Sequence, residues 1–148
     1  MRQVIAVPGL CLALAVAGCG SGDAPTWDGP PRPLPADGAL PVDAFGEYVN
    51  AVDEPWERSV VGIASAYALP LVRASGDLRA SYPASDPEGG DTVVVTLGRL
   101  YDDSVRELRV VFTVEALEDG SYRIREARWD QRCHPGRGHE QWSPAACA

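Results

Sequence analysis

From residue 91 onward the chain alternates. Across 105–117, Leu108, Val110, Phe112, Val114 and Ala116 share one phase, and Glu107, Arg109, Thr113 and Glu115 share the other. A period of two predicts a strand of an antiparallel sheet with one dry and one wet face. The preceding segment 91–100, DTVVVTLGRL, is rich in β-branched residues and predicts a neighbouring strand, with Asp102-Asp103-Ser104 as the turn between them. Glu118-Asp119-Gly120-Ser121 predicts a hairpin turn, because Asp-Gly accepts positive φ. Tyr122 and Ile124 open a third strand facing inward, yet by Ala127 and Trp129 the apolar phase has moved by one. A one-residue slip turns every later side chain to the other face. The pattern therefore predicts a β-bulge near Arg125-Glu126.

Upstream the period is helical. Val42, Phe45, Val49 and Val52 form one stripe, with Asp43 placed to cap it and Gly46 weakening it by about 1 kcal/mol relative to Ala. Pro55 suits a first turn, and Trp56, Val60, Ile63 and Tyr67 recur behind it. This predicts a second helix to about Ala68, ended by Pro70. Segment 73–90 is polar and broken by Gly76, Pro83, Pro87 and Gly89-Gly90, so it reads as a surface connection, with a short strand around Leu71-Val72. Helices followed by sequential strands predict an α+β domain over 42–148. Its N-terminal helices would cover the apolar face of a meander of three to four strands, a cystatin-like or NTF2-like arrangement.

The N-terminal composition is different. Arg2, an apolar run through Leu10–Ala17 and small residues before Cys19 read as a secretory signal, too short for a membrane span. Val16-Ala17-Gly18-Cys19 resembles the lipobox of bacterial lipoproteins. The resemblance implies cleavage after residue 18 and a diacylglyceryl group on Cys19, and two acyl chains suffice for stable anchoring. Segment 19–41, with six prolines and four glycines in 20–41, then reads as a Pro-rich tether. The expected location is extracytoplasmic, anchored to a bacterial membrane. Without Arg2 the chain holds 12 basic residues, all arginine, against 21 acidic ones, a net charge of about −9. That balance argues against nucleic acid and leaves the lipid as the membrane attachment.

With Cys11 removed and Cys19 lipidated, Cys133 and Cys147 remain, and an oxidising compartment favours their disulfide. Between them lie most of the versatile side chains of the C-terminal half. Asp102-Asp103-Ser104-Val105 together with Arg132-Cys133-x-Pro135-Gly136-Arg137-Gly138-His139-x-x-Trp142-Ser143-x-x-x-Cys147 resembles a family of secreted and lipid-anchored bacterial proteins. The resemblance supports the disulfide and brings no activity. Arg137 is expected to hydrogen-bond loop carbonyls or Asp102/Asp103, or else an anionic ligand. Trp142 is expected to fold back onto the sheet.

Arg132, Arg137, His139 and Trp142 are the candidate ligand-binding set. His134, His139 and Glu140 match no zinc spacing, and Ser143 with His139 lacks a nucleophile elbow. No metal or cofactor is expected. Tyr48, Trp56, Tyr67, Phe112 and Trp129 read either as plain core or as the lining of a ligand pocket between helices and sheet. The leading expectation is a non-enzymatic envelope domain that binds a protein, a polymer or a small ligand. The rival is a small envelope enzyme using Arg137 and His139. Peptide mapping under non-reducing conditions is expected to recover Cys133 and Cys147 in one crosslinked species; free thiols at both would contradict the pairing.

Overall fold

The computed structural model describes residues 26–72, 75–81, 91–100 and 103–148. The expected leader, the lipobox with Cys19, and Asp102 lie outside them. The fold is α+β. Strands β1 (Ala39–Leu40), β2 (Ser75–Ser81), β3 (Asp91–Leu100), β4 (Val105–Ala116) and β5 (Tyr122–Cys133) form one antiparallel sheet in the order β1-β5-β4-β3-β2. Helix α1 (Asp43–Ala51), a 3-10 turn (Pro55–Arg58) and helix α2 (Val60–Val72) connect β1 to β2.

The alternation in β4 is realised as read: Leu108, Val110, Phe112 and Val114 are buried on the dry face. Thr113 pairs with Glu126 but Val114 pairs with Ile124, so Arg125 is the extra residue of the predicted bulge. Downstream of it Ala127, Trp129, Gln131 and Cys133 all face the buried side. Phe45 of α1 and Ile63, Ala64, Tyr67 and Ala68 of α2 close the core over that face.

Four expectations are corrected. First, α2 continues through Pro70 to Val72, so Leu71-Val72 is helical rather than a strand. A proline in the last turn removes little from a ladder that is ending, and Leu71 gains burial by staying in register. Second, 75–81 is strand β2, paired along β3 from Ser75 opposite Leu100 to Ser81 opposite Val94. Its sequence, SGDLRAS, carries no period-two apolar pattern to mark a strand. Third, Asp43 lies inside the first turn of α1 and makes no cap; Val42 occupies the capping position. Fourth, the helix predicted from Pro55 onward is broken at Ser59, whose extended backbone separates the 3-10 turn from α2.

The domain boundary also moves. Residues 26–41, expected in the tether, are built into the domain. Trp27 lies edge-on to Phe45 and tilted on Tyr67, each ring centroid 5.1 Å away, and its indole N–H donates to the Tyr67 carbonyl at 2.9 Å. The Trp129 indole donates to the Pro35 carbonyl at 2.8 Å, and the Tyr67 hydroxyl to the Pro41 carbonyl at 2.7 Å. Burial pushes the Tyr67 hydroxyl well above the usual phenol range. Proline fixes φ in advance, so this segment loses less entropy on docking than its lack of secondary structure suggests. Trp27, Leu34 and Leu40 supply the apolar surface. Trp27→Ala is expected to lower the unfolding free energy by about 2–4 kcal/mol in urea titration, whereas a tether residue would stay within about 0.5 kcal/mol.

Candidate functional site

The terminal loop is built on the free edge of β5. There the Trp129 amide donates to Gly38 O at 2.8 Å, the Gln131 amide to Ser143 O at 2.9 Å and the Cys133 amide to His139 O at 2.9 Å. Ser143 N returns a bond to Gln131 O at 3.0 Å, and the buried Gln131 side chain donates to Ala145 O at 2.8 Å. The N-terminal segment and the terminal loop thus share one edge and meet at Gly38. There φ is +79°, and a Cβ would stand 3.0 Å from Trp129 O and 3.4 Å from Pro144, so only glycine fits without displacement. Cys133 and Cys147 form the disulfide, with Cα atoms 5.6 Å apart.

The four candidate ligand-binding residues separate into distinct arrangements. Arg137 donates to Asp103 at 3.1 Å, one of the alternatives its fork suggested. His139 sits between two carbonyls, Nδ1 at 2.8 Å from Gln141 O and Nε2 at 2.8 Å from Ala145 O. Both partners only accept, so the ring satisfies both only as imidazolium. The Ala145 carbonyl first, then the Gln141 carbonyl, raise its pKa above 6.5, with desolvation opposing.

Arg132 and Trp142 do come together, on the wet face of the sheet. Arg132 pairs with Glu107, its direct cross-strand neighbour. Arg109 grips Asp130 with two bonds of 2.6 and 2.8 Å. Both guanidiniums lie under the indole of Trp142, 4.4 Å (Arg109) and 4.9 Å (Arg132) from its centroid. Trp142 folds back as expected, but it stacks on cations rather than extending the core. Arg109 and Asp130 were readable only as wet-face residues; period-two spacing places them, and nothing in it names their partner.

Cys133 Sγ, Cys147 Sγ and a His139 ring nitrogen lie within 4.8 Å of one another. In this state the two sulfurs are bonded together and the ring nitrogens face carbonyls, so the group acts as a clasp.

A concave site lies elsewhere, between α1 and the β4–β5 hairpin. This cleft of about 360 Å³ is walled by Val42, Phe45, Gly46 and Val49 of α1, with Ile63 and Ile124 at its floor. Asn50, Asp53, Glu57, Asp119, Ser121 and Arg123 form a polar rim. Asp119 accepts from Ser121 N at 2.9 Å and Ser121 Oγ at 2.6 Å, which lowers its pKa and keeps it ionised. Arg123 is turned toward Glu115 at 2.9 Å and Arg58 stands 3.9 Å from Asp53, so three rim carboxylates, Asp53, Glu57 and Asp119, are only partly offset by arginine. A Cβ on Gly46 would meet nothing within 4 Å. Of the aromatic residues proposed from sequence for a pocket, Tyr67, Phe112 and Trp129 are buried core, while Tyr48 and Trp56 are stacked 6.2 Å apart at the surface. Compared with protein-family models, curated proteins and solved structures, the chain matches none.

The His139 clasp gives a pH dependence. Its folded-state pKa lies above its value in the unfolded chain, so its stabilisation is complete below pH 6.5 and is lost as pH rises through the folded-state pKa. The stability difference between the wild type and His139→Gln is therefore expected to shrink across that interval in denaturant titrations. The ring should titrate above 6.5 by NMR; a midpoint at or below that value would contradict the clasp.

Proposed function

We propose that this chain is a lipid-anchored, extracytoplasmic binding domain of the bacterial envelope, and that the cleft beside α1 is its ligand site. The observation that carries the ligand site is Gly46. A glycine inside a helix costs about 1 kcal/mol relative to Ala, and no neighbour forces one there. Its lack of a side chain leaves the α1 wall of the cleft clear. An apolar floor under Asp53, Glu57 and Asp119 suits a small amphiphile with a cationic head, in keeping with the chain's net charge of −8.

The anchor rests on Val16-Ala17-Gly18-Cys19. Mass spectrometry of protein extracted from membranes is expected to find a diacylated Cys19 as the first residue; an intact Met1 would refute it. For the cleft, the probe is a short n-alkylamine followed by NMR. Shifts should concentrate at Gly46, Asn50 and Ser121 and be absent with the matching alkyl sulfate. Gly46→Leu fills the space and should abolish them while raising stability by up to about 1 kcal/mol. Unchanged binding in that variant would rule the cleft out.

A further inference from the structure

Helix α2, VVGIASAYALPLV, contains no charged residue, yet it lies at the surface. A helix apolar on all sides needs cover on all sides. Its inner face has the sheet. Among the described residues its outer face has no such cover: Leu69 is 57% exposed and Val61, two turns earlier, 36%. Beside that face runs an apolar groove of about 360 Å³ lined by Trp27, Tyr48, Trp56, Ala66, Leu69 and Pro70 with no charged residue. At its margin the Arg32 guanidinium donates to Pro70 O at 3.3 Å.

We propose that this face docks on the bilayer itself, with the groove and Leu69 at the boundary between headgroups and acyl chains. The inference rests on the lipid-anchor reading of Cys19. The placement of the N-terminus carries it. Trp27, in the wall of the groove, is eight residues after Cys19. Eight extended residues span at most about 28 Å, so the anchored domain cannot stand far from the membrane. Residues 26–41 are packed on the domain and add no reach. The part of the surface nearest the anchor is then the aromatic, uncharged one. Trp and Tyr at an apolar surface, with arginine at the margin, suit the bilayer interface. The acidic remainder of the surface is repelled by anionic headgroups and turns away, which fixes the orientation. Close anchoring lets a small patch act, because the acyl chains have already brought it to the membrane.

The test uses the full chain extracted from membranes and reconstituted in vesicles of phosphatidylcholine and anionic phosphatidylglycerol whose acyl chains carry bromine, which quenches tryptophan within the hydrocarbon boundary. Quenching is expected in the wild type and in Trp142→Phe, whose indole lies on the opposite, wet face of the sheet. It should fall in Trp56→Phe and in Leu69→Glu, an exposed position whose change leaves the core intact; cooperative urea unfolding of each variant checks that. Mass spectrometry of Cys19 separates the two readings. If Cys19 is diacylated and quenching is absent, or is lost only in Trp142→Phe, the anchor holds and the docking face is wrong. If Cys19 is unmodified, the anchor fails, and the same vesicles added to the protein decide the face: quenching sustains it and its absence overturns it. Self-association in mild detergent that Leu69→Glu abolishes would assign the face to a second copy and overturn the proposal.

Discussion

Strand β5 lies between β4 and the two ends of the chain, and its outward amides at Trp129, Gln131 and Cys133 need acceptors. An unpaired edge invites pairing with another chain, and buried amides without partners are costly. Gly38, Ser143 and His139 supply the three carbonyls. The first belongs to the N-terminal segment and the other two to the disulfide-closed loop. Neither segment has regular structure enough to stand alone. Each is ordered because β5 presents a row of donors, and β5 is a completed strand because both are there. The disulfide, closing a ring of about 15 residues and contributing roughly 3 kcal/mol, holds the loop where those bonds can form.

The two faces of the sheet divide the remaining work. The dry face takes up α2 and the buried rings. Where α1 leaves the sheet toward the hairpin, it leaves the cleft beside Gly46. On the wet face, Glu107–Arg132 and Arg109–Asp130 form adjacent cross-strand pairs, and Trp142 covers both cations. Exposed ion pairs contribute little by themselves. Here each charge has a fixed partner and an indole above it, so the pairs chiefly fix where the loop lies.

The strands with a buried face were legible because burial on one side writes a period of two. The phase change between Ile124 and Ala127 located the bulge for the same reason. Strand β2 was not legible, since SGDLRAS carries no period-two apolar pattern. The N-terminal segment misled through composition: six prolines and four glycines in 20–41 read as solvated chain. Yet Trp27, Leu34 and Leu40 spaced among rigid residues are what a preordered strap requires. Within the loop, the disulfide and the Arg137–Asp103 contact could be anticipated from residue types. The two carbonyls around His139 and the second arginine beneath Trp142 depend on loop backbone geometry and cross-strand register, which local sequence does not encode. The cleft left only one trace in the sequence, a glycine inside a helix, which read as a weakness.

Cys147 follows the end of β5 by 14 residues, and the pinch at Gly38 joins Pro144 to a segment more than a hundred residues earlier. The sheet edge is therefore closed by residues made after every one of its strands. A chain emerging from synthesis can assemble helices and the first hairpins as they appear. It cannot seal β5 until residue 143 has arrived, nor lock the seal before Cys147. The Gly38–Trp129 part of the seam is also distant in sequence, and its closure is slow; through that interval the strand edge stays open. The sheet that protects the protein once complete is thus also its point of greatest exposure during birth.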